Sequence, residues 1–324
     1  VTIEELIAPV KKELENFETV FSKMLHSNVP LAEQVIQYIA TKKGKRIRPL
    51  LVILVAKLHG EVNSKTISAG VVVEMLHTAT LVHDDVVDDS DLRRGMPTVN
   101  QMWSNKISVL VGDFLFSKTL TSMLDLRDHE ALAILSETAK SITEGELLQI
   151  AHDHDFLLTE QTYFDLIAKK TAALFKASCE LGALTTSGTT RARLLMQEFG
   201  HNLGIAFQIK DDLLDYTGNT TTTGKPVGND IRENKVTLPL IYALKSCKES
   251  HRNEMIRLLE NGLDKDSKVS RIINFVQNEG GMTYSAEMAA RYGEKACAIL
   301  DQYNGSSIKT HLQQLVNFTI DRQG

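Results

Sequence analysis

The chain has 324 residues, of which 43% are hydrophobic and 24% charged, and its formal net charge is −5. This length allows one large hydrophobic core, and the composition is that of an ordinary globular protein. The acidic balance argues against nucleic acid as a partner. Its longest apolar run, residues 49–56, is too short to cross a bilayer, and no signal-peptide pattern opens the sequence. We therefore expect no integral membrane segment.

The three cysteines, Cys179, Cys247 and Cys297, are odd in number and widely spaced within helical patterns. This usage is typical of buried thiols in a reducing compartment, so the sequence predicts a cytoplasmic location.

Apolar residues recur at three- and four-residue spacing along nearly the whole chain, which predicts helices. No alternation is strong enough for a β-sheet and no change of composition marks a boundary, so residues 1–324 are predicted to form a single all-α domain. The predicted helices span residues 3–25, 31–42, 47–59, 65–89, 106–124, 129–152, 161–186, 190–217, 236–247, 251–261, 267–278, 282–302 and 307–322.

Three predicted loops carry distinctive residues. Residues 41–49 are basic, and residues 89–100 contain two adjacent arginines. Residues 217–234, "TGNTTTTGKPVGNDIREN", are too long for a simple connection, and their composition is typical of a mobile lid over a site.

The predicted helix 65–89 is apolar on nearly every face, which indicates a buried helix. One polar stripe at helical spacing interrupts it, and this stripe must face something other than bulk water. The stripe comprises Glu74, His77, Leu81, Asp84 and Asp88.

The predicted helix 190–217 repeats this construction. Its stripe comprises His201, Gly204, Gln208, Asp211 and Asp215. Two buried helices with carboxylates near one end could face each other across a cavity; this is a hypothesis from periodicity alone.

Two aspartate groups stand in these stripes: Asp84, Asp85 and Asp88 (the first acidic motif) and Asp211, Asp212 and Asp215 (the second acidic motif). Ionised carboxylates this close together repel one another and need cations between them. Oxygen ligands alone favour hard ions, magnesium first, which keeps waters and takes up substrate phosphates.

Basic residues supply partners for such phosphates. Lys170 is the clearest candidate, because the other residues of its helix stripe are largely apolar: Tyr163, Ile167, Leu174 and Ala177. A lysine in such a stripe needs an anion as its partner. Magnesium and basic side chains together describe a diphosphate site. The basic candidates are Lys45, Arg48, Arg93, Arg94, Lys170, Lys225 and Lys235.

Other interpretations stay open for individual residues. A single acidic motif is more often a solvated patch, Lys45 and Arg46 taken alone are surface charges, and His77 alone is a core histidine. Glu146 and Gln149 are interpreted as structural hydrogen-bonding residues. "EMLH" at 74–77 and "EFGH" at 198–201, with Glu144 or Glu180, match the ligand pattern of di-iron carboxylate bundles, but that alternative explains neither the aspartates nor the arginines.

In these acidic and basic motifs the chain resembles the trans-type polyprenyl diphosphate synthases, which include the farnesyl and geranylgeranyl diphosphate synthases. The resemblance covers most of the chain and is weaker after about residue 250. It implies an antiparallel helical bundle around a deep central cavity, of the isoprenoid synthase type, and a homodimer. The matching segments are "GKRIRP" at 44–49, "HTATLVHDDVVDDSDLRRGMPT" at 77–98, "KT" at 170–171, "FQIKDDLLD" at 207–215, "GKPVGNDI" at 224–231 and "KVTLPL" at 235–240.

The resemblance also implies roles for these residues. The aspartates of both motifs bind Mg²⁺, three ions per active site with substrate present, and Lys170 and Lys225 assist catalysis with them. Isopentenyl diphosphate is held by Lys45, Arg48, His77 and Arg94. The allylic diphosphate is held by Arg93, Lys170, Thr171, Gln208, Lys225 and Lys235. Phe207 is interpreted either as a ring that steadies the allylic cation or as a core residue.

The residues one helical turn before Asp84 bear on product length. Ala79 and Thr80 are both small, whereas short-chain members of the family tend to carry a large aromatic residue there. A tunnel continuing past Leu76 and Val73 would accommodate an all-trans product longer than C20. A short-chain synthase of C15 or C20 is the alternative, and a class I terpene cyclase is a more remote one, since its second metal motif is not all-aspartate.

Overall fold

The structure, a computed structural model, describes residues 2–41, 44–93, 95–186, 188–217, 227–261, 265–303 and 305–322. Nearly all of them are helical, which confirms the predicted all-α fold. The α-helices are Ile3–Ile7, Lys11–Leu25, Pro30–Thr41, Ile47–His59, Ser64–Val87, Val99–Met102, Asn105–Asp125, His129–Ala151, Glu160–Ile167, Ala173–Leu184, Thr190–Thr217, Asn229–Arg232, Leu238–Ser246, Glu249–Asn261, Lys265–Asn278, Gly281–Leu300 and Ser307–Asp321.

Most predicted helix ends agree with the structure to within two residues. The differences are local interruptions. A 3₁₀ turn, Ala8–Val10, divides the first predicted helix, and a π-turn, Ala168–Ala172, interrupts the predicted helix 161–186. The predicted loop 89–100 contains a two-stranded antiparallel ribbon, Leu92–Arg93 with Met96–Pro97, which the prediction of no sheet missed. Two-residue strands are too short to show alternation.

The chain divides into two compact units. The first comprises Val1–Lys140, Leu174–Gly200 and Ala298–Leu315, and the second comprises Ser141–Ala173, His201–Cys297 and Val316–Gly324. Every boundary falls inside a helix and none falls in a linker. The assignment of residues 1–324 to one domain stays a prediction.

The core of the first unit surrounds helix Ser64–Val87, called here the first-motif helix. It packs against Lys11–Leu25, Ile47–His59 and Asn105–Asp125. Its start is fixed by the Asn63 side chain, which accepts hydrogen bonds from the backbone N–H groups of Lys65 and Thr66. Such a cap satisfies donors that a helix start leaves unpaired. The first-motif helix is buried along most of its length, as its apolar faces predicted.

The core of the second unit surrounds the last turns of helix Thr190–Thr217, called here the second-motif helix. Its buried side chains pack against helix Glu160–Ile167 and residues of Gly281–Leu300. Contacts on this scale bury enough apolar surface to hold the acidic end of the helix in place. The residues of this cluster include Tyr163, Ile167, Ile205, Ile209, Leu213, Met288 and Ala289.

Among the described residues, one helix, Asn105–Asp125, has the length and apolar composition that a membrane-spanning segment needs, a test that core helices of soluble proteins also pass. The expectation of no integral membrane segment stays a prediction. Four large apolar side chains on one face of this helix are exposed: Val109, Leu110, Leu120 and Leu124.

Candidate active site

The first acidic motif lies at the C-terminal end of the first-motif helix. Asp88 is the C-cap residue, and its backbone N–H donates to the Asp84 carbonyl at 2.8 Å. Asp84 and Asp88 are half-buried, whereas Asp85 exposes only 4% of its surface. The Arg93 Nε, on the first ribbon strand, donates to Asp85 Oδ1 at 2.6 Å. The middle aspartate is therefore neutralised by an arginine of the same unit.

Two of the predicted basic-site residues lie together beside this motif. Arg48, in the first turn of helix Ile47–His59, has its Nη1 2.9 Å from His77 Nε2. The Arg48 guanidinium also lies 5.0 Å from the centre of the Phe175 ring, a cation–π distance. Lys45 is exposed two residues before the same helix. The sequence placed these residues in one site, and the structure brings Arg48 and His77 into contact.

The interpretation of Arg46 as a surface charge was wrong. Its side chain is 16% exposed, and it donates to Glu18 Oε1 at 2.8 Å and to Glu74 Oε1 at 2.7 Å. Burial lowers the pKa of Arg46, but the carboxylates of Glu74 and Glu18 raise it, and the net pKa lies above the ordinary value. The spacing of residues in a loop carries no signal for such long-range pairs, so the sequence could not identify the partners of Arg46.

A pocket in the first unit is lined by Arg46 together with Phe21, Leu25, His77, Asp85 and Arg93.

The second acidic motif also has a buried middle aspartate. Asp212 exposes 4% of its surface, accepts from Tyr163 Oη at 2.5 Å through Oδ2, and accepts from Gln208 Nε2 at 2.7 Å through Oδ1. The Gln208 Oε1 in turn accepts from the Thr171 hydroxyl at 2.7 Å. Burial is the main cause that raises the pKa of Asp212, and the neighbouring carboxylates of the motif add to it; against the effect of these two hydrogen bonds, the pKa reaches about 7.

Asp215 is held by backbone near the C-terminal end of the predicted lid, residues 217–234. Its Oδ1 and Oδ2 accept from the backbone N–H groups of Asn229 and Asp230, both at 3.0 Å. Gly228 makes this approach possible, because its φ of 73° favours glycine and a Cβ there would lie 2.4 Å from Val269 Cγ1. Burial and the nearby carboxylates raise the pKa of Asp230 well above its ordinary value. The sequence analysis did not single out Asp230, because nothing in the composition of its loop distinguishes this aspartate from the other polar residues there.

Asp211 carries a partner that sequence reasoning also missed. Arg322 Nη2 lies 2.7 Å from Asp211 Oδ1 and donates to the Phe207 carbonyl at 2.9 Å. The guanidinium lies 3.9 Å from the centre of the Phe207 ring. This arginine is the final residue of the last predicted helix, residues 307–322, where a basic residue is ordinarily explained by the helix dipole.

Lys170 lies in the π-turn and has the anion that its apolar stripe predicted. Its Nζ donates to Glu146 Oε2 at 2.9 Å and to Gln149 Oε1 at 2.8 Å, so the interpretation of these two as hydrogen-bonding residues is confirmed. Gly145 allows the close approach, since a Cβ there would lie 2.6 Å from the backbone nitrogen of Lys170. π-turns recur at functional sites because they displace side chains from the regular helical stripe.

A second pocket gathers the predicted residues of this unit. Lys235, whose Nζ pairs with Glu233 at 2.8 Å, is one of them. The lining also includes Gln149, Lys170, Thr171, Gln208, Asp212 and Asp230. Arg94 and Lys225 lie outside the described residues.

The carboxylates required by the di-iron alternative have other partners. Glu74 pairs with Arg46, Glu180 accepts from Arg193 Nη2 at 3.0 Å, and Glu144 accepts from Lys169 Nζ at 2.5 Å. Each of these carboxylates is bonded to a basic side chain, so the structure does not favour a di-iron centre built from them.

The outer aspartates of the two motifs fit a hard divalent ion better than the middle ones. Asp84, Asp88, Asp211 and Asp215 are half-buried and keep part of their surface accessible to an ion, whereas Asp85 and Asp212 each expose only 4% of their surface. Among the described residues, no group of three or more His, Cys, Asp or Glu side chains is arranged to hold a metal ion by itself. Magnesium suits such an incomplete set, because waters and substrate phosphates supply its remaining ligands.

The candidate chain-length residues lie on the first-motif helix as predicted. Val73, Leu76 and Ala79 expose 0%, 1% and 1% of their surface, and Thr80 is half-buried. The tunnel past Leu76 and Val73 stays a prediction, because neither side chain borders open space in this structure.

Comparison with known proteins shows which family the chain resembles. The family model described as polyprenyl synthetase matches residues 29–276. The all-trans-nonaprenyl-diphosphate synthase (geranyl-diphosphate specific) of Rhodobacter capsulatus is 37% identical, over 98% of each chain. The octaprenyl diphosphate synthase of Escherichia coli is 33% identical, over 99% of this chain and 98% of that one.

A solved structure extends the likeness to the fold. The polyprenyl synthase of Caulobacter crescentus, crystallised with calcium and isoprenyl diphosphate, superposes with a TM-score of 0.93 at 34% identity, over 100% of this chain and 98% of that one. The family match covers most of the chain, and full-length relatives are more than 30% identical to it. The chain therefore belongs to the polyprenyl synthetase family and is a prenyltransferase.

Proposed function

We propose that this prenyltransferase condenses isopentenyl diphosphate head-to-tail with an allylic diphosphate and makes an all-trans polyprenyl diphosphate longer than C20. The observation that carries the length is the pair of small residues, Ala79 and Thr80, one turn before Asp84. The full-length relatives named for octaprenyl and nonaprenyl products support the same conclusion.

The outer aspartates, Asp84, Asp88, Asp211 and Asp215, would hold magnesium, three ions per active site with substrate present. Their hard oxygen donors support this assignment, as does the calcium bound to the Caulobacter crescentus relative. Bound magnesium neutralises the charge that develops on the departing diphosphate. Asp85 and Asp212, each bonded to a protein donor, would orient neighbouring groups and make fewer metal contacts.

The basic residues would position the two diphosphates. Arg48 is already oriented by His77 and by the Phe175 ring, so its planar fork is arranged for an oxyanion before substrate binds. Lys170 would exchange Glu146 for a phosphate oxygen of the allylic substrate, a better-matched and more highly charged partner. The same roles are proposed for Lys45, Arg93, Arg94, Thr171, Gln208, Lys225 and Lys235.

One observation favours a short-chain product of C15 or C20 as the second candidate. Leu76 and Val73, about one and two turns beyond Ala79, have almost no exposed surface. A product longer than C20 requires these side chains to change rotamer, or the hydrocarbon to follow a different face of the helix.

A cytoplasmic homodimer is also proposed. The exposed apolar stripe of helix Asn105–Asp125 supports a homodimer, because apolar surface on one helix face is typical of subunit interfaces. The thiols of Cys179 and Cys247, which are buried and form no disulfide, support a reducing compartment.

Product analysis tests this proposal. The enzyme is incubated with isopentenyl diphosphate, magnesium and either geranyl, farnesyl or geranylgeranyl diphosphate, and the dephosphorylated products are separated by length. We expect products longer than C20, and shorter ones from Ala79→Phe because its ring closes the path. Wild-type products that end at C15 or C20 would establish the short-chain alternative.

A further inference from the structure

Arg322 places a buried positive charge on the second acidic motif. It follows helix Ser307–Asp321, and its backbone N–H donates to the Phe318 carbonyl at 3.1 Å. The side chain is 8% exposed and reaches Asp211 Oδ1 at 2.7 Å. The end of the last described helix is thus fixed against a carboxylate proposed to bind metal.

The surroundings of this guanidinium are specific. Its plane lies over the Phe207 ring, and one of its nitrogens also donates to the Phe207 carbonyl. Its Nε is buried without a hydrogen-bond partner in the described part of the chain. Burying a guanidinium is costly unless it is well paired, so the charge of Asp211 is what stabilises Arg322 here.

We infer that Arg322 competes with divalent metal for Asp211 and so sets the metal affinity of the second acidic motif. This inference rests on the proposed function, in which Asp211 is a metal ligand. A divalent ion on Asp211 and a guanidinium 2.7 Å from the same carboxylate repel each other. Metal binding must therefore weaken or break the contact between Arg322 and Asp211, and part of the binding free energy is consumed in doing so.

The contact has a second consequence, at the end of helix Ser307–Asp321. When metal displaces Arg322, the buried guanidinium loses the carboxylate that neutralises it. The last turn of the helix then loses the contact that holds it in place. Metal binding is therefore coupled to loosening of the segment that carries Arg322. This response distinguishes competition from a purely structural ion pair, which metal would leave unchanged.

The test is titration of Mn²⁺, followed by its electron paramagnetic resonance signal, into chelator-stripped enzyme with inorganic pyrophosphate present. Arg322→Gln keeps hydrogen-bonding capacity and removes the charge, so we expect Mn²⁺ to bind several-fold more tightly. Arg271→Gln is the matched control, because Arg271 is an exposed arginine of the same unit that pairs with Glu254. This control should bind Mn²⁺ as the wild type does.

Hydrogen exchange of the wild-type enzyme provides the second measurement and depends on no variant. Amides at the end of helix Ser307–Asp321 should exchange faster after magnesium is added. Unchanged or weaker Mn²⁺ binding by Arg322→Gln, or unchanged exchange in the wild type, would overturn the inference. Failure of the wild type to bind Mn²⁺ at all would instead overturn the proposed function.

Discussion

The two acidic motifs share one construction but differ in how the middle carboxylate is stabilised. Asp85 and Asp212 are equally buried, with 4% of the surface exposed. The partner of Asp85 is the cation Arg93, whereas the partners of Asp212 are the neutral hydroxyl of Tyr163 and the neutral amide of Gln208. A cation favours an ionised carboxylate through charge, and neutral donors do so only through hydrogen bonds.

This difference shows that the motif spacing does not determine the electrostatics of each site. Burial dominates at Asp212 and raises its pKa to about 7, while the cation Arg322 pairs with the neighbouring Asp211. The buried aspartate of the first motif is therefore paired with a cation from the loop that follows it, and the buried aspartate of the second motif is held by neutral donors.

The largest expected effect comes from removing an outer aspartate. Asp84→Ala and Asp211→Ala should each lower kcat by about a hundredfold or more, since each removes a carboxylate proposed to hold the magnesium that would stabilise the departing diphosphate. Steady-state kinetics with saturating magnesium measures this, and circular dichroism should show an intact fold. Asp301→Ala, at an exposed aspartate, is the control and should keep normal turnover. Near-normal turnover of either motif variant would remove that aspartate from the site.

The next effect tests the close approach at Lys170. In Gly145→Ala the new Cβ would lie 2.6 Å from the backbone nitrogen of Lys170, so the π-turn must shift and Lys170 with it. We expect KM for the allylic diphosphate to rise about tenfold, the change that corresponds to ~1.4 kcal/mol, with KM for isopentenyl diphosphate little changed.

Gly70→Ala is the matched control for this substitution. Gly70 also lies within a helix, and a Cβ there would meet its nearest atoms, on Phe17 and Pro49, at 3.6 Å, an ordinary van der Waals distance. Equal rises in both KM values of Gly145→Ala would indicate general disruption rather than displacement of Lys170.

The two middle aspartates should differ in stability. Asp85→Asn leaves the Arg93 charge without its buried partner, and we expect a loss of about 1–3 kcal/mol in the free energy of unfolding. Asp212→Asn keeps a neutral side chain of the same shape among neutral donors and should cost less. Urea denaturation of metal-free protein at neutral pH measures both. A larger loss for Asp212→Asn would contradict the comparison.

The smallest effect is the pH dependence of Asp212. Its pKa is about 7 in the folded protein and near 3.8 in a freely solvated aspartate, so the folded state holds this proton more tightly. The stability that protonated Asp212 contributes is complete below pH 3.8 and is lost as the pH rises through about 7. The advantage of metal-free wild type over Asp212→Asn should therefore shrink over this window, as urea denaturation in chelator can show. A constant difference would mean that Asp212 ionises normally.

The sequence predicted the helices well, because helices depend on local spacing. The stripes through Asp84 and Asp211 follow from helical periodicity, and the burial of the first-motif helix follows from its apolar faces. The π-turn at Lys170 was missed, because one extra residue in a helical turn leaves no clear mark on apolar spacing.

The partners of the motif residues could not be predicted for a different reason. Arg46 with Glu74, Tyr163 with Asp212 and Arg322 with Asp211 join residues far apart in sequence. No pattern within one helix specifies which distant side chain will meet it. The sequence therefore indicates which residue types the motifs present, but it does not indicate which charged or hydrogen-bonding partners each carboxylate meets.

Counting bound Mn²⁺ by electron paramagnetic resonance, with inorganic pyrophosphate present, tests the metal assignment most directly. We expect three ions per active site in the wild type and fewer in both Asp84→Ala and Asp211→Ala. The same number of ions in the wild type and in both variants would show that these aspartates do not bind metal, and would contradict the account.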